Sequence, residues 1–265
     1  MNNLHRELAP ISAGAWTQIE EEASRTLKRY LAARRVVDVS EPRGYDFAAL
    51  GTGHTRAIAT GSEGVQAVQR LVDPVIELRV PFKLSRQDID DVARGSNDSD
   101  WQPLKDAARK IAYEEDRAIF DGYEQAGIKG LRPGTSNPVF ALPSNVTQYP
   151  AVIAQAASQL RLAGVNGPYR LVLGTAPFTL VTGGSDNGYP VAKHLEHLVD
   201  GEIIWAPAIQ GGLLLTTRGG DFEMTLGQDF SIGYLRHNDH EVELYLQESF
   251  SFRMLTTEAL IALPA

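Results

Sequence analysis

The sequence contains no cysteine among its 265 residues. Disulfide bonds, zinc–thiolate centres, iron–sulfur clusters and thiol nucleophiles are therefore excluded. Basic residues are not in excess either, because 33 Asp and Glu outnumber 25 Lys and Arg and give a net charge of −8. This balance argues against nucleic acid or an anionic membrane as a main partner.

Long apolar runs are also missing. The stretch MNNLHRELAPISAG has no signal-peptide core, and no segment is apolar over the length of a bilayer. We therefore predict a cytoplasmic protein with no membrane partner. The GxSxG elbow, the GxxxxGK[ST] phosphate loop and the HExxH metal motif are absent too. We predict no catalytic residue, no metal site and no enzymatic activity.

The patterns that are present predict an α+β chain. Apolar side chains at spacings of three and four predict a first helix over 15–33. VIELRVPFKL alternates apolar and polar residues over 76–84, which predicts a half-buried strand, and Pro81 favours a sheet edge. With the Gly- and Thr-rich residues before it, this strand predicts one long ribbon over about 47–84. A two-stranded ribbon has no core of its own, so it should lie on another subunit.

The rest of the chain alternates helices and strands before a β-rich end. We predict a helix over 150–162 that stops at Gly164, a strand in YRLVLG, and a helix in PVAKHLEHLVDG with Gly201 as its C-cap. Strands follow in EIIWAP, GGLLLTTRGG and EVELYLQESFSFRM, the last after a turn at RHNDHE. Glu248 falls on the apolar face of that last strand, so it should be paired or lie at a subunit contact.

Clustered acids in AYEEDRAIFDGYE, within a helix predicted over 100–123, raise the question of a metal or acid–base centre. A ferritin-like site needs Glu-x-x-His pairs, which this helix lacks. Helical geometry places Glu115 on the packed stripe and Glu114 and Asp116 off it. We interpret the cluster as a solvated or interface-facing acidic side with one paired Glu115. Two His-x-x-His pairs, which lack a third ligand, are interpreted as surface residues: His194 with His197, and His237 with His240.

Eight stretches along essentially the whole chain resemble the encapsulins, bacterial shell proteins with an HK97-like phage-capsid fold, and most closely their mycobacterial and actinobacterial members. These stretches are LHRELAPISAGAW, RRVVDV, IELRVPFKLS, DDVARGSNDSDW, EEDRAIFDGY, GPYRLVL, LTTRGGDF and LGQDFSIGY. The resemblance implies a peripheral domain with a long spine helix, an axial α/β domain and an extended β-ribbon loop. By position these would be 1–47, 85–130 and 219–265 for the peripheral domain, 48–84 for the extended loop and 131–218 for the axial domain.

The resemblance also implies a function. Shells of this family assemble from sixty copies into an icosahedron and enclose cargo enzymes that carry a C-terminal targeting peptide. Actinobacterial cargo is a dye-decolorizing peroxidase or, in some cases, a ferritin-like protein, which links the shell to oxidative stress or iron metabolism. Two alternatives from other classes stay open: a prophage capsid protein that packages DNA, and a hydrolase or bacteriocin, as some members were once labelled.

Two sites carry over from the family by position. An acidic loop, GGSDNGYP, would line the five-fold pore through Ser185, Asp186, Asn187 and Gly188, and would favour cations and small neutral molecules over anions. Some members bind flavin against an aromatic residue near 85–91; this sequence has Ser85, Arg86 and Gln87 there, so we predict no cofactor. The cargo-peptide pocket would comprise eight residues: Leu27, Tyr30, Leu31, Arg34, Asp38, Phe230, Ile232 and Tyr234.

Overall fold

The computed structural model describes residues 3–265, so Met1 and Asn2, which begin the predicted peripheral domain, lie outside the described range. Helices of four or more residues in this range are α1 (Ala13–Tyr30), α2 (Arg86–Ala93), α3 (Gln102–Phe120), α4 (Leu131–Gly134), α5 (Tyr149–Leu162), α6 (Thr175–Gly183) and α7 (Val191–Val199).

The strands in the described range are two to fourteen residues long. They are β1 (Asp38–Val39), β2 (Ala49–Ile58), β3 (Ala67–Pro74), β4 (Ile76–Ser85), β5 (Tyr169–Leu173), β6 (Ser185–Asp186), β7 (Tyr189–Pro190), β8 (Ile203–Trp205), β9 (Gly212–Thr216), β10 (Phe222–Leu226), β11 (Ser231–His237), β12 (Glu241–Met254) and β13 (Leu260–Leu263).

Strand β12 is the centre of a five-stranded sheet. Strands β10 and β11 pair antiparallel with successive parts of one side of it, and β4 pairs antiparallel along the other side. Strand β1 extends the sheet by parallel pairing with β10. A second sheet has the order β13-β9-β5-β8, and two hairpins, β2-β3 and β6-β7, stand apart. This mixture of elements confirms the predicted α+β class.

Two buried apolar clusters hold these layers together. The smaller joins α1, α2 and α3 to β4, β11 and β12, and the larger surrounds the four-stranded sheet and α5. In α1 the predicted stripe is buried at Ile19, Ala23 and Leu27, whereas Trp16 and Tyr30 are only partly buried and Ala15 is buried without having been predicted. Ser12 caps the helix by accepting from the Ala15 amide at 3.2 Å. The division into peripheral and axial domains at the stated boundaries stays a prediction.

Helix α1 ends three residues before the predicted Ala33. The backbone of Leu31 is already in the extended conformation, with φ −73° and ψ 105°. The amides of Ala32 and Ala33 donate to the buried carboxylate of Asp116 instead of to carbonyls in the preceding turn. A carboxylate supplied by α3 therefore ends the helix, and this long-range cause has no signature in the local sequence.

The predicted ribbon over 47–84 is too long. Only β2 and β3 form a separate two-stranded ribbon, whereas β4 pairs with β12 over ten residues, from Ser85 opposite Glu241 to Ile76 opposite Phe250. The prediction that Pro81 marks an edge strand is confirmed, because β4 forms the outer strand on its side of β12. The alternating pattern revealed the strand period but not its distant partner.

Predictions for the middle of the chain are mostly confirmed. Helix α5 spans Tyr149–Leu162, and Gly164 follows it in the left-handed region at φ +79°. The predicted C-cap of α7, Gly201, is wrong, because Asp200 takes the left-handed conformation, at φ 54°. A Cβ on Gly201 would meet the guanidinium of Arg170, so a larger residue there needs that flexible side chain to move.

Candidate functional site

A groove of about 590 Å³ lies between α1 and β11. Its apolar lining comes from Ala23, Leu27 and Leu31 on the helix side and from Phe230, Ile232 and Leu246 on the sheet side. Helical spacing turns Ala23 and Leu27 toward the sheet, Leu31 follows directly after the helix, and β11 is an outer strand on its side of β12. The result is a concave apolar surface of the size that binds small ligands or peptide side chains.

The N-terminal segment forms another wall of this groove. The Leu4 carbonyl accepts from the Tyr234 amide of β11 at 2.8 Å. Arg6 pairs with Glu20 of α1 at 2.6 Å, and its guanidinium lies 4.0 Å from the ring centre of Trp16. Leu4, Arg6 and Glu20 all line the groove. This wall was not predicted, because nothing in the sequence shows where an irregular segment docks.

Arg34 lies at the end of the groove where α1 stops, and three carboxyl groups surround it. Its Nε donates to Glu115 at 2.8 and 3.0 Å, and its Nη2 lies 2.6 Å from Glu115. The same Nη2 donates to Glu248 at 3.0 Å, and Nη1 donates to Asp229 at 2.7 Å. The guanidinium also lies 4.4 Å from the ring centre of Phe230. This set, Arg34 with Glu115, Glu248 and Asp229, is called the Arg34 cluster below.

Burial sets the electrostatics of the Arg34 cluster. Glu115 and Glu248 are 0% exposed, whereas the side chain of Asp229 is 46% exposed. Burial raises the pKa of Glu248 well above its usual range, and the charge of Glu115 raises it further. Burial alone would lower the pKa of Arg34, but the three acids outweigh it and the pKa is raised. The prediction that Glu248 is paired is confirmed, and the cation that pairs with Glu115 is Arg34.

The interpretation of Asp116 as part of a solvated or interface-facing side is wrong. Asp116 is 0% exposed and accepts the Ala32 and Ala33 amides at 2.9–3.2 Å. Burial raises its pKa well above the usual range, although the two amide hydrogen bonds act in the opposite direction. Glu114, in contrast, is exposed and pairs with Arg117 at 2.9 Å. Helix α3 contacts both α1 and the sheet, so its buried arc is wider than one stripe.

The structure brings together five of the eight predicted pocket residues: Leu27, Leu31, Arg34, Phe230 and Ile232. The other three do not line the groove. The ring of Tyr30 packs against Tyr113 and Trp205 at 5.7 and 6.0 Å between centroids. Asp38 accepts the Gly220 amide at 2.6 Å, and the Tyr234 hydroxyl lies 2.6 Å from Nδ1 of His237.

Several lining residues were missed, among them Asp229, which lies two residues before β11. An acid next to the predicted pocket residue Phe230 was the available signal. Ser24 and Lys28 had one too, since Ser24 lies three residues before Leu27 and Lys28 lies three residues before Leu31, a spacing that places side chains on one helix face. Their roles could not be assigned because the partner strand was unknown.

The predicted pore residues form a tight hairpin between α6 and α7. Ser185 pairs with Pro190 and Asp186 with Tyr189, while Asn187 and Gly188 take positive φ values of 47° and 85°. Two successive positive φ angles define the type I′ turn that two-residue hairpins favour. Asp186 accepts from the Asn187 amide group at 3.0 Å. The assignment of these residues to a pore stays a prediction.

Neither His-x-x-His pair gathers a third ligand in the part of the chain that is described. No group of three or more His, Cys, Asp or Glu residues there could hold a metal ion. His194 stacks on Tyr189 at 4.4 Å between ring centres. Likewise, no helix within 3–265 is both long and apolar enough to cross a membrane.

Comparison with solved structures defines the class. The chain resembles a virus-like particle protein from Pyrococcus furiosus with a TM-score of 0.67 at 14% identity, over 94% of this chain and 98% of that one. It resembles the capsid of Myoviridae phage XM1 with a TM-score of 0.54 at 10% identity, over 88% and 91% of the two chains. These likenesses confirm the predicted HK97-like capsid fold.

Sequence comparison then gives the family. The model of the family described as "Encapsulating protein for peroxidase" matches residues 1–251. A type 1 encapsulin shell protein of Rhodococcus erythropolis is 60% identical over 99% of this chain and 100% of its own length. One from Mycobacterium tuberculosis is 54% identical, with 99% of both chains covered. The chain therefore belongs to the encapsulin shell protein family, as its resemblance predicted.

Proposed function

We propose that this chain assembles into a closed icosahedral shell of sixty copies that encloses a peroxidase. Family membership supports the shell and the class of cargo. The ribbon β2-β3 supports assembly, because it exposes Ile58, Val65, Val68 and Val72 by 46–63%. A two-stranded ribbon with this much apolar surface gains stability by packing on a second copy.

We infer that the groove between α1 and β11 binds the targeting peptide at the C-terminus of the cargo. The observation that carries this inference is the combination of an apolar lining with the Arg34 cluster at one end. Apolar side chains of an extended peptide would fill the groove, and the charged end would fix its direction. A dye-decolorizing peroxidase is the proposed cargo, with a ferritin-like protein as the second candidate.

In this proposal the chain performs no chemistry itself and needs no flavin or other cofactor. Containment and selection of small molecules are its contributions, and the enclosed enzyme carries out redox chemistry linked to oxidative stress or iron metabolism. The hairpin β6-β7 would border the pore. The shell would reside in the cytoplasm.

Assembly is tested by light scattering and electron microscopy of the purified chain. We expect closed particles of a size that fits sixty copies. A monomer or dimer would contradict the shell, and nuclease-sensitive nucleic acid inside particles would favour a phage-type capsid instead.

The groove is tested by filling it. Ser24 is an exposed groove residue of α1, so Ser24→Trp should place an indole over the apolar lining without altering the buried core. We expect intact shells that co-purify with little peroxidase, measured as haem absorbance per shell protein. Glu21→Trp is the matched control, because Glu21 is exposed on α1 but does not line the groove. Equal loading of both variants would refute the assignment.

A further inference from the structure

The Arg34 cluster contains more negative than positive groups. One guanidinium faces three carboxyl groups, and two of these, on Glu115 and Glu248, are completely buried. A buried carboxylate without its own counter-charge is strongly unfavourable, and such a group takes up a proton instead. Two carboxyl groups that share one site hold a proton for the same reason. The cluster should therefore keep one proton under conditions where an exposed carboxyl group has lost it.

The hydrogen bonds indicate where that proton resides. Glu115 accepts hydrogen bonds from Nε of Arg34 and forms an ion pair with its Nη2. Asp229 accepts from Nη1 of Arg34 and from the amide of Phe230. Glu248 receives only one bond, through Oε2, and its buried Oε1 accepts from no described group. Glu248 is thus the acid whose negative charge is least compensated.

Among the described residues, Arg34 is the one cation that acts on Glu248, and the other charged groups that act on it are acids. Arg34 faces it from the segment after α1, Glu115 from α3, and Asp229 from the turn before β11. Leu78 of β4 lies opposite it in the sheet and is uncharged. Both neighbouring acids oppose ionisation of Glu248, and burial shifts the pKa of Glu248 upward as well.

We propose that Glu248 carries a proton at neutral pH and donates it in a hydrogen bond to Glu115. This hydrogen bond positions Arg34 at the end of the groove. Peptide binding therefore weakens as the proton is lost at higher pH. This proposal rests on the proposed function of the groove. Glu248 is a positioning residue, because it does not line the groove and acts through Arg34.

The geometry suggests how the proton affects the groove. With Glu248 neutral, Glu115 balances Arg34, and Nη1 remains directed at the half-exposed Asp229 beside the Phe230 ring. A second buried negative charge would attract the guanidinium inward, away from Asp229 and Phe230. A bound peptide removes water from Asp229 and Arg34, which disfavours an extra negative charge further. Peptide binding therefore favours the state in which Glu248 keeps its proton. Because binding and protonation are linked, the affinity for the peptide falls as the pH rises.

The first experiment measures binding of a fluorescent synthetic peptide, copied from the C-terminal end of the host's peroxidase, to intact shells from mildly acidic to mildly alkaline pH. For the unchanged chain we expect the Kd to rise by up to about tenfold per pH unit, the limit for one linked proton. Glu248→Gln keeps the shape and a hydrogen-bond donor but cannot ionise, so its binding should be tight and independent of pH.

Glu241→Gln is the control, because Glu241 lies on the same strand, is half-exposed and pairs with Lys83. It should keep the pH profile of the unchanged chain. A flat profile for the unchanged chain, or weak binding by Glu248→Gln at low pH, would overturn the proposal.

A second experiment is independent of the peptide. Infrared spectra of empty shells at neutral pH should contain a protonated-carboxyl band that Glu248→Gln removes and Glu241→Gln retains. If that band is present but no variant binds peptide at any pH, the proposed role of the groove fails while the assignment of the proton stands. If the band is missing from the unchanged chain, the proton on Glu248 is refuted.

Discussion

Three consecutive acids of α3 have three different surroundings. Glu114 is exposed beside Arg117, Glu115 is buried against Arg34, and Asp116 is buried against two backbone amides. Periodicity correctly placed Glu115 on the packed side because that conclusion needs only helix geometry. It failed for Asp116 because burial there depends on Ala32 and Ala33, more than eighty positions earlier in the chain.

Replacement of Asp116 by alanine should strongly destabilise the chain. Two buried amides would lose their acceptor, and each unsatisfied group costs about 1–3 kcal/mol, so we expect a loss of roughly 2–4 kcal/mol. Denaturant titration, which gives the free energy of unfolding, measures this loss. Asp116→Asn keeps one acceptor oxygen and should lose less. Glu114→Ala, at the exposed position two residues earlier, should change stability by less than about 0.5 kcal/mol; equal effects of the two alanine variants would contradict the capping role.

Removal of Arg34 alone should destabilise the chain more than replacement of Arg34, Glu115 and Glu248 together. Arg34→Ala leaves the buried Glu115 without a counter-charge, and breaking such a pair costs about 3–5 kcal/mol. Arg34→Met combined with Glu115→Leu and Glu248→Leu replaces the ion pair and both buried carboxyl groups by apolar side chains and should recover most of that loss. The yield of soluble shells and their unfolding midpoint distinguish the two variants. A triple variant no more stable than Arg34→Ala would show that shape, rather than charge, dominates this site.

For the helices and strands, the sequence correctly predicted the spacing of apolar residues along each element but not which strands pair with each other. Apolar spacing located α1 and α3, Gly164 marked the end of α5, and alternation located β4 and β12, because these signals depend on neighbours in the chain. The pairing of β4 with β12 joins residues more than 150 positions apart, and no local pattern records it. For the same reason, Leu27 and Phe230 were assigned to one pocket through family resemblance and not through spacing.

The ribbon β2-β3 allows an element-level test of assembly. Val68 and Val72 lie on the same face of β3 and are 63% and 54% exposed. Val68→Lys with Val72→Lys should leave the circular dichroism of the chain unchanged, because neither residue is buried within one subunit. Shell closure should fail, because two charges would be desolvated at the contact. Sedimentation velocity measures the closed fraction.

Gln69→Lys provides the control for the ribbon, because Gln69 is exposed on the opposite face of β3. It should assemble as the unchanged chain does. Normal closure of the double lysine variant would place the ribbon outside the subunit contacts.

For the whole molecule, the negative net charge and the family fold act together. A chain with a net charge of −8, present in many copies, gives a shell whose field attracts cations, and a narrow opening concentrates that field. One chain alone cannot show which hairpin borders an opening, because an opening is formed by several copies. The family resemblance assigns β6-β7 to that place, and the exposed turn at Asn187 and Gly188 is compatible with it.

The charge of Asp186 should then control which molecules pass into the shell. Asp186→Lys replaces a ring of negative charges by positive ones, so oxidation of an anionic dye by the enclosed peroxidase should accelerate and that of a cationic dye should slow. Shell size should not change, because the hydrogen bonds that Asp186 makes to described residues lie within its own hairpin. Asp239→Lys makes the same charge change in the exposed turn between β11 and β12 and should leave both rates unaltered. Identical rates for the two variants would remove Asp186 from the opening, whereas opposite shifts for the two dyes, seen only with Asp186→Lys, would establish that its charge selects what enters.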